Sequence, residues 1–372
     1  MTNTGAFTLT WTAASDPDAG DAVTYTLEHH DASPAAPWSP VATGLASPSY
    51  AFGPGDAEPE GTWSYRVTAT DNHGASGPAT VSTTPVVVDK AAPPAPALTV
   101  AAGQTSVQVG GIDWYRDAVT IDIGALPDPA LSDGSPGSGV DAASYAPAVV
   151  LSANGVNTLS AHVTDVAGNA SAAATRQVHV DAQPPTVTPA CPASASLHGQ
   201  ASVAATAHDG ESGLAIDPSG TYPVDTSSVG PKTFTFEATD RVGHLASTSC
   251  TVQVTYRFGG FDGRMGSGEP YDGRVGRSIA VRITLLDQQN RPIDGAVPTL
   301  DIAPVQGGVV GTYGPATSDS QRGNTMTSTT RGRTPSGGYT FDLRTSGLAS
   351  GLYSLRVNLD DGTSYSALVS LR

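Results

Sequence analysis

Three carboxylates crowd into the run Asp16-Pro17-Asp18-Ala19-Gly20-Asp21. Hard oxygen ligands at such short spacings, with a glycine to turn the chain, suit the roughly 6–8 oxygens that Ca²⁺ takes. Asp16, Asp18 and Asp21 are therefore the candidate calcium ligands. The run lacks the full Asp-x-Asp-x-Asp-Gly pattern and its bidentate Glu, and an Asx-turn between Trp11 and Tyr25 accounts for the same residues. Asp89 and Asp181 each precede a Pro-Pro pair, where a carboxylate either ligates a cation between modules or ends a strand. His29-His30-Asp31 invites a metal or triad reading, but successive strand residues point to opposite faces, so the two imidazoles would not converge. The 8 His are scattered, without His-Glu-x-x-His or a His–Cys pair at zinc spacing, and Gly-x-Ser-x-Gly is absent. The expectation is a chain that is not an enzyme and needs no cofactor other than calcium. Trp63, Trp114 and Tyr115 are either sugar-stacking platforms or packing residues, and Trp63, in phase with Tyr65 and Val67, reads as core. Trp38, in Pro37-Trp38-Ser39-Pro40, is the candidate ligand-binding aromatic, a platform for a sugar ring.

The background around these residues excludes several classes. Of 372 residues, 42 are Gly and 29 Pro, which marks a turn-rich chain. Hydrophobic content of 38% with only 14% charged residues excludes an acidic disordered chain and a coiled coil. No segment approaches the roughly 20 uninterrupted apolar residues of a membrane span. The net charge of −16 argues against nucleic acid and anionic membranes as partners. Met1 to Gly5 shows neither a charged n-region nor an apolar h-region, and strand signal begins at Phe7. These features read as a segment of a longer exported protein.

The elements that position the candidate residues are strands. Thr-Asp-x-x-Gly recurs at Thr70–Gly74, Thr164–Gly168 and Thr239–Gly243, each time after a period-2 run. In the first run Trp63, Tyr65, Val67 and Ala69 share a face; in the second, Leu159, Ala161 and Val163; in the third, Phe234, Phe236 and Ala238. The Asp can accept from turn N–H groups and the Gly can take positive φ, so each motif is a hairpin corner. A second strand follows each corner, at Val86–Val88, Val178–Val180 and Val252–Val254. Pro93-Pro94 and Pro184-Pro185 then act as stiff linkers. The reading is an all-β array of tandem sandwiches with boundaries at 1–90, 91–182, 183–256 and 257–372. In the last of these, 257–277 reads as a linker or opening loop. Strands are expected around Ile279–Leu285, Tyr339–Leu343, Tyr353–Leu359 and Tyr365–Leu371, with a long loop from Ser318 to Arg333 and no helix.

Four resemblances follow from particular residues. Leu9-Thr10-Trp11, Tyr25 and Tyr65-Arg66-Val67-Thr68-Ala69-Thr70-Asp71 resemble a fibronectin type III domain. Gly111-Ile112-Asp113-Trp114-Tyr115 and Asp165-Val166-Ala167-Gly168-Asn169 are similar to bacterial Ig-like repeats. Pro184-Pro185-Thr186-Val187, Cys191-Pro192, Thr239-Asp240 and Gly243 before Cys250 resemble the hyalin-repeat (HYR) family of Ig-like domains. Gly276 to Ile283 is similar to a C-terminal module of secreted Gram-positive proteins named for Pro-x-Lys-Phe (PxKF), with Ala280, Arg282 and Ile283 replacing the naming residues.

The hyalin-repeat resemblance implies a disulfide between Cys191 and Cys250, the only 2 Cys; the other reading is two buried free thiols. A disulfide implies an oxidising compartment. Together these families imply a secreted or cell-envelope scaffold, a monomeric array acting as spacer and presentation stalk. Its partner would be an extracellular protein or polysaccharide. The alternatives are accessory, glycan-binding modules of a secreted hydrolase, and a calcium-dependent adhesin.

Overall fold

Period-2 alternation becomes strand almost wherever it occurs. The computed structural model describes residues 1–18, 20–31, 36–329 and 336–372. Over these residues the chain is all-β, with 31 strands and a single short 3-10 helix, Gly263–Gly266. It divides into two compact units, Met1–Gln183 and Pro184–Arg372. Each unit holds two sandwich modules, and every sheet closes within one of the stretches 1–90, 91–182, 183–256 and 257–372.

In the first module, Phe7–Thr10 pairs with Ser49–Phe52. The facing sheet runs Ser39–Leu45, Val23–Asp31, Gly61–Asp71, with Thr80–Val81 and Val86–Val88 both on the last strand. Leu27, Phe52 and Tyr65 fill the space between the sheets, and Trp63 and Val67 pack against them as their phase requires. In the second module, Ala97–Val100, Val119–Gly124 and Ala148–Leu151 face a sheet of Gly155–Ala161, Ala174–Asp181, Ile112–Arg116 and Ser106–Val109. Tyr115, Ile121, Val178 and Val180 form its core.

In the unit Pro184–Arg372, Thr186–Ala190, Ser202–His208 and Gly220–Pro223 face Ser194–Ser196, Leu245–Thr255, Gly230–Asp240 and Leu214–Ile216. The final module opposes the sheet of Arg257–Phe261, Ile279–Leu286, Gly338–Leu343 and Thr327–Ser328 to one built on Tyr271–Gly273, Ser364–Leu371, Gly351–Asn358 and Thr299–Gln306. One apolar cluster runs through both modules, from Leu197 and Val254 through Tyr256 to Phe341 and Leu371.

All four modules close in the same way: a short early segment lies parallel to the last strand. The pairs are Thr2 with Val88, Trp114–Arg116 with His179–Asp181, Ser194–Ser196 with Gln253–Thr255, and Tyr271–Gly273 with Val369–Leu371. The last pair corrects the reading of 257–277 as a linker. Arg257–Phe261 is also a strand, with a register shift between Phe258 and Gly260 that breaks the alternation. Phe258 stacks on Tyr365 with ring centres 3.9 Å apart. Gly273 allows the closing strand to dock, since a Cβ there would stand 2.5 Å from Ile279 Cδ1. Thr299–Gln306 is a further strand that the alternation did not reveal. Of the expected loop from Ser318 to Arg333, residues 330–333 lie outside the described ones, and Thr327–Ser328 pairs with Tyr339–Thr340.

In each of the three corners one oxygen of the Asp accepts from two turn N–H groups. Asp71 Oδ1 accepts from the N–H groups of His73 and Ala75, at 2.9 and 2.8 Å. Asp165 Oδ1 accepts from Gly168 and Asn169 at 2.6 and 2.8 Å, and Asp240 Oδ1 from Gly243 and His244 at 2.7 and 2.8 Å. The glycines sit at φ of 92°, 99° and 98°, a region that costs a side chain. A fourth corner carries no such motif: Asp287 Oδ1 accepts from Gln289 and Arg291, both at 2.9 Å. Asn290, at φ 61°, takes the left-handed position there.

Because Asp240 is 1% and His244 8% exposed, removing the Asp240 carboxylate leaves the His244 N–H buried without an acceptor. Asp240→Ala is expected to cost about 2–3 kcal/mol, from the usual penalty for unsatisfied buried groups. Urea unfolding should show this as a lower midpoint at unchanged slope. An unchanged midpoint would show that the corner carries no such weight.

Candidate functional site

The residues with chemical potential gather at the ends of modules, where corners, loops and linkers meet. At one end of the first module the backbone N–H of Asp18 donates to Asp16 Oδ1 at 2.8 Å, the Asx-turn geometry. Oxygens of Asp16, Asp18 and Asp21 also come within 4.8 Å of one another, so the turn and the converging carboxylates coexist. Ala19 between them lies outside the described residues. Asp21 reaches sideways as well, its Oδ2 standing 3.2 Å from His73 Nδ1 in the neighbouring corner.

His29 and His30 diverge, as strand geometry requires. His29 Nδ1 donates to Glu58 Oε1 at 2.7 Å, and its ring stacks on Trp63 with centres 4.7 Å apart. Glu58 is 2% exposed and also accepts from the Tyr65 hydroxyl at 3.1 Å. Burial, then the Glu58 charge, pushes the Tyr65 hydroxyl well above its ordinary range. This network was not legible in the sequence, because Glu58 sits in a loop without periodicity. His30 instead meets Trp38 edge to face at 4.2 Å. The Trp38 ring is taken up by the protein itself: the Arg66 guanidinium lies 4.7 Å from its centre. Glu28 holds that guanidinium through two bonds of 2.7 and 3.0 Å. Trp114 is likewise occupied, tilted against His179.

Asp89 and Asp181 end their modules fully buried. Asp181 Oδ1 accepts from the Gln183 N–H, and its carbonyl accepts from Asp117. Asp89 Oδ1 accepts from Ala91 at 3.1 Å, and its Oδ2 accepts from Ser138 at 2.7 Å. Ser138 belongs to the loop 128–139, which the second module lays over the first. Along that loop the Thr62 N–H donates to Asp133 at 2.8 Å, and Ser132 donates to the Glu60 carboxylate and carbonyl at 2.9 Å each. Asn169 completes the junction by donating to the Asp89 carbonyl at 2.9 Å and to Asp165 Oδ2 at 2.7 Å.

A comparable junction ties the third and fourth modules. The Tyr256 N–H donates to Asp361 Oδ2 at 2.7 Å, and Gln289 donates to the His198 carbonyl at 2.7 Å. Asp287 Oδ2 accepts from Arg291 Nε at 2.7 Å and from His198 Nδ1 at 3.0 Å. Burial works against the Asp287 charge, but the Arg291 N–H, His198 and the Arg291 guanidinium outweigh it and hold the carboxyl at about 2, below its ordinary 3.8. A depressed carboxyl stabilises the fold above its unfolded value, and that contribution is lost as pH falls through the folded value. Melting temperature should therefore fall between about pH 4 and pH 2, and Asp287→Asn should flatten this part of the profile. An identical profile in the variant would remove Asp287 from the acid response.

Cys191 and Cys250 form a disulfide with Cα atoms 6.4 Å apart. It joins the end of the first strand of the third module to its last strand, across the two sheets. The separation is 59 residues, for which loop-closure entropy predicts about 4 kcal/mol. Reduction of the full chain should lower the melting temperature of Pro184–Arg372 and leave that of Met1–Gln183 unchanged. A shift of both transitions, or of neither, would contradict this placement.

An apolar groove of about 490 Å³ opens beside Phe7–Thr10 in the first module, lined by Leu9, Trp11, Tyr25, Val67 and Val81 among others. Trp11 Nε1 is buried there without an acceptor. No family model matches the chain, and no curated protein matches it. Among solved structures it is similar to the FN1–FN3 domains of chicken CNTN1, at 11% identity over 100% of this chain and 96% of that one, with a TM-score of 0.20. A second likeness is to the N-terminal eight Ig domains of Down Syndrome Cell Adhesion Molecule, at 10% identity over 100% of this chain and 46% of that one, TM-score 0.22. A third is to extracellular cadherin domains 1–5 of protocadherin gamma B2, at 13% identity over 99% of this chain and 76% of that one, TM-score 0.21. The all-β assignment rests on this chain's own sheets, and these structures stand beside it as likenesses.

Proposed function

We propose that the chain is a non-catalytic spacer and presentation segment of a secreted or cell-surface protein. The observation that carries this reading is the tying of consecutive modules within each unit. The loop 128–139 and Asn169 do this in Met1–Gln183, and Asp361, Gln289 and His198 in Pro184–Arg372. A segment that works by reach needs such junctions more than it needs a pocket, because each hinge it removes extends the chain. The disulfide supports an oxidising compartment. Among the described residues no helix is long and apolar enough to cross a membrane.

In finer terms, the four modules are fibronectin type III-like, bacterial Ig-like, hyalin-repeat-like and PxKF-like in order, and the partner is an extracellular protein or polysaccharide surface. Arg66 on the face of Trp38 weighs against that ring as a sugar platform. The reading is tested with residual dipolar couplings on the full chain. Modules one and two should share one alignment tensor, and so should modules three and four. Independent tensors within a unit would overturn the spacer reading. So would turnover of polysaccharide or peptide substrates by the purified chain.

A further inference from the structure

We propose that the unpaired edge of Phe7–Thr10 takes an extended segment of a partner protein as a third strand, a neutral and alternately apolar run behind a basic residue. The chain itself shows what belongs on such an edge. In the second and third modules the strand after the parallel closing segment, Val119–Gly124 or Ser202–His208, is the middle one of three. On one side it pairs with Ala148–Leu151 or Gly220–Pro223. On the other it pairs antiparallel with Ala97–Val100 or Thr186–Ala190. In the first module Phe7–Thr10 holds this place after Thr2, and Ser49–Phe52 covers its first side. Among the described residues no strand covers the second.

The backbone is set for such a strand. The Trp11 N–H donates to the Pro48 carbonyl at 3.1 Å, in register with Leu9 opposite Tyr50 and Phe7 opposite Phe52. Alternate residues of an antiparallel strand turn both polar groups to the same neighbour. Thr8 and Thr10 therefore turn theirs to the open side, where both residues are exposed. The apolar groove of about 490 Å³ opens on that side too. Leu9, Trp11, Tyr25, Leu27 and Val67 line it, Val81 comes from the facing edge, and nothing comes from Ser49–Phe52. In the second module Leu98 and Val100 pack from the matching strand against Tyr115, Ile121 and Val180, and in the third Val187 packs on the core. Trp11 adds a buried indole N–H without an acceptor, which an oxygen of the added strand would satisfy.

Charge fixes the occupant. No lining residue of the groove is charged, in a chain of net charge −16, so the run that enters it is neutral. The groove reaches Ala14 and Ala69, and Asp16 and Asp71 stand two residues beyond them. Asp21 comes within 4.8 Å of Asp16 and Asp18 and also of Asp71. Among the described residues none of these four acids pairs with Lys or Arg. An antiparallel strand enters from that end, which sets a Lys or Arg ahead of its apolar residues. A second copy of this chain does not fit, because its Phe7, Leu9, Leu98, Val100 and Val187 are committed to its own cores.

The experiment titrates the isotope-labelled full chain with a synthetic peptide that copies residues 96–101 behind two lysines, followed by NMR. The peptide should shift the amide signals of Thr8, Thr10 and Val81 and slow hydrogen exchange at Thr8 and Thr10. A peptide with serine for its leucine and valine should not bind. One with glutamates for its lysines should bind several-fold more weakly, a gap that closes in high salt. Thr10→Pro removes an open-side N–H on an edge where proline is tolerated, and should lose the peptide while keeping the melting temperature. If that variant does not fold, the serine peptide carries the comparison on the unaltered chain. No response to the first peptide, equal binding of the serine peptide, or shifts confined to other modules would each overturn the proposal. So would undiminished binding to a folded Thr10→Pro chain. Dimerisation through the same amides without peptide would give the edge to a second copy and overturn it as well. Module rigidity does not enter this test, so the edge and the spacer reading fail separately.

Discussion

Buried backbone N–H groups must find an acceptor, and in this protein aspartate supplies it. At Asp165, Asp240 and Asp287 a single oxygen receives two turn donors, and each of these residues is at most 2% exposed. The chain can reverse tightly over the core only because those donors are satisfied. Everything else in a module hangs on that reversal. It aims the next strand back along the sheet, so that the final strand meets its parallel partner and the two inner faces seal Ile121, Val252 or Phe341 between them.

A buried carboxylate solves one problem and makes another, because its second oxygen and its charge also need an answer. The answer differs from corner to corner and is written four residues downstream: alanine at 75, asparagine at 169, histidine at 244, arginine at 291. Where that side chain is long enough it reaches beyond its own turn. Asn169 touches the linker carbonyl of Asp89, and the Arg291–Asp287 pair takes in His198. The same aspartate thus folds its module and fastens it to the one before.

Much of this was written in local sequence. Trp63, Tyr65 and Val67, or Phe234, Phe236 and Ala238, announce strands because only a two-residue repeat puts all of them inward. The Asp and Gly that follow announce the turn. What stayed hidden has physical reasons. The fourth corner uses Asn290 where the others use glycine, so the motif fails although the backbone angle is the same in kind. Thr299–Gln306 buries Leu300 and Ala303, three apart, and contains Pro304, so its alternation is lost. Tyr271–Gly273 is too short to show any period. Asp133 and Glu58 lie in loops, and their importance comes from residues far away in sequence. Their neighbours are set by tertiary contact, which a single sequence does not encode locally.

The apolar cluster that runs unbroken from Leu197 to Leu371 has a consequence for inheritance. A gene breakpoint near residue 256 would tear Val254 and Tyr256 from the residues that cover them, leaving two halves with exposed cores. The first two modules meet through hydrogen-bonding side chains and loops, and their cores are separate clusters. A breakpoint near residue 90 would expose polar groups that water can satisfy. Recombination can therefore shuffle the first two modules one at a time, but it must carry the last two as a pair.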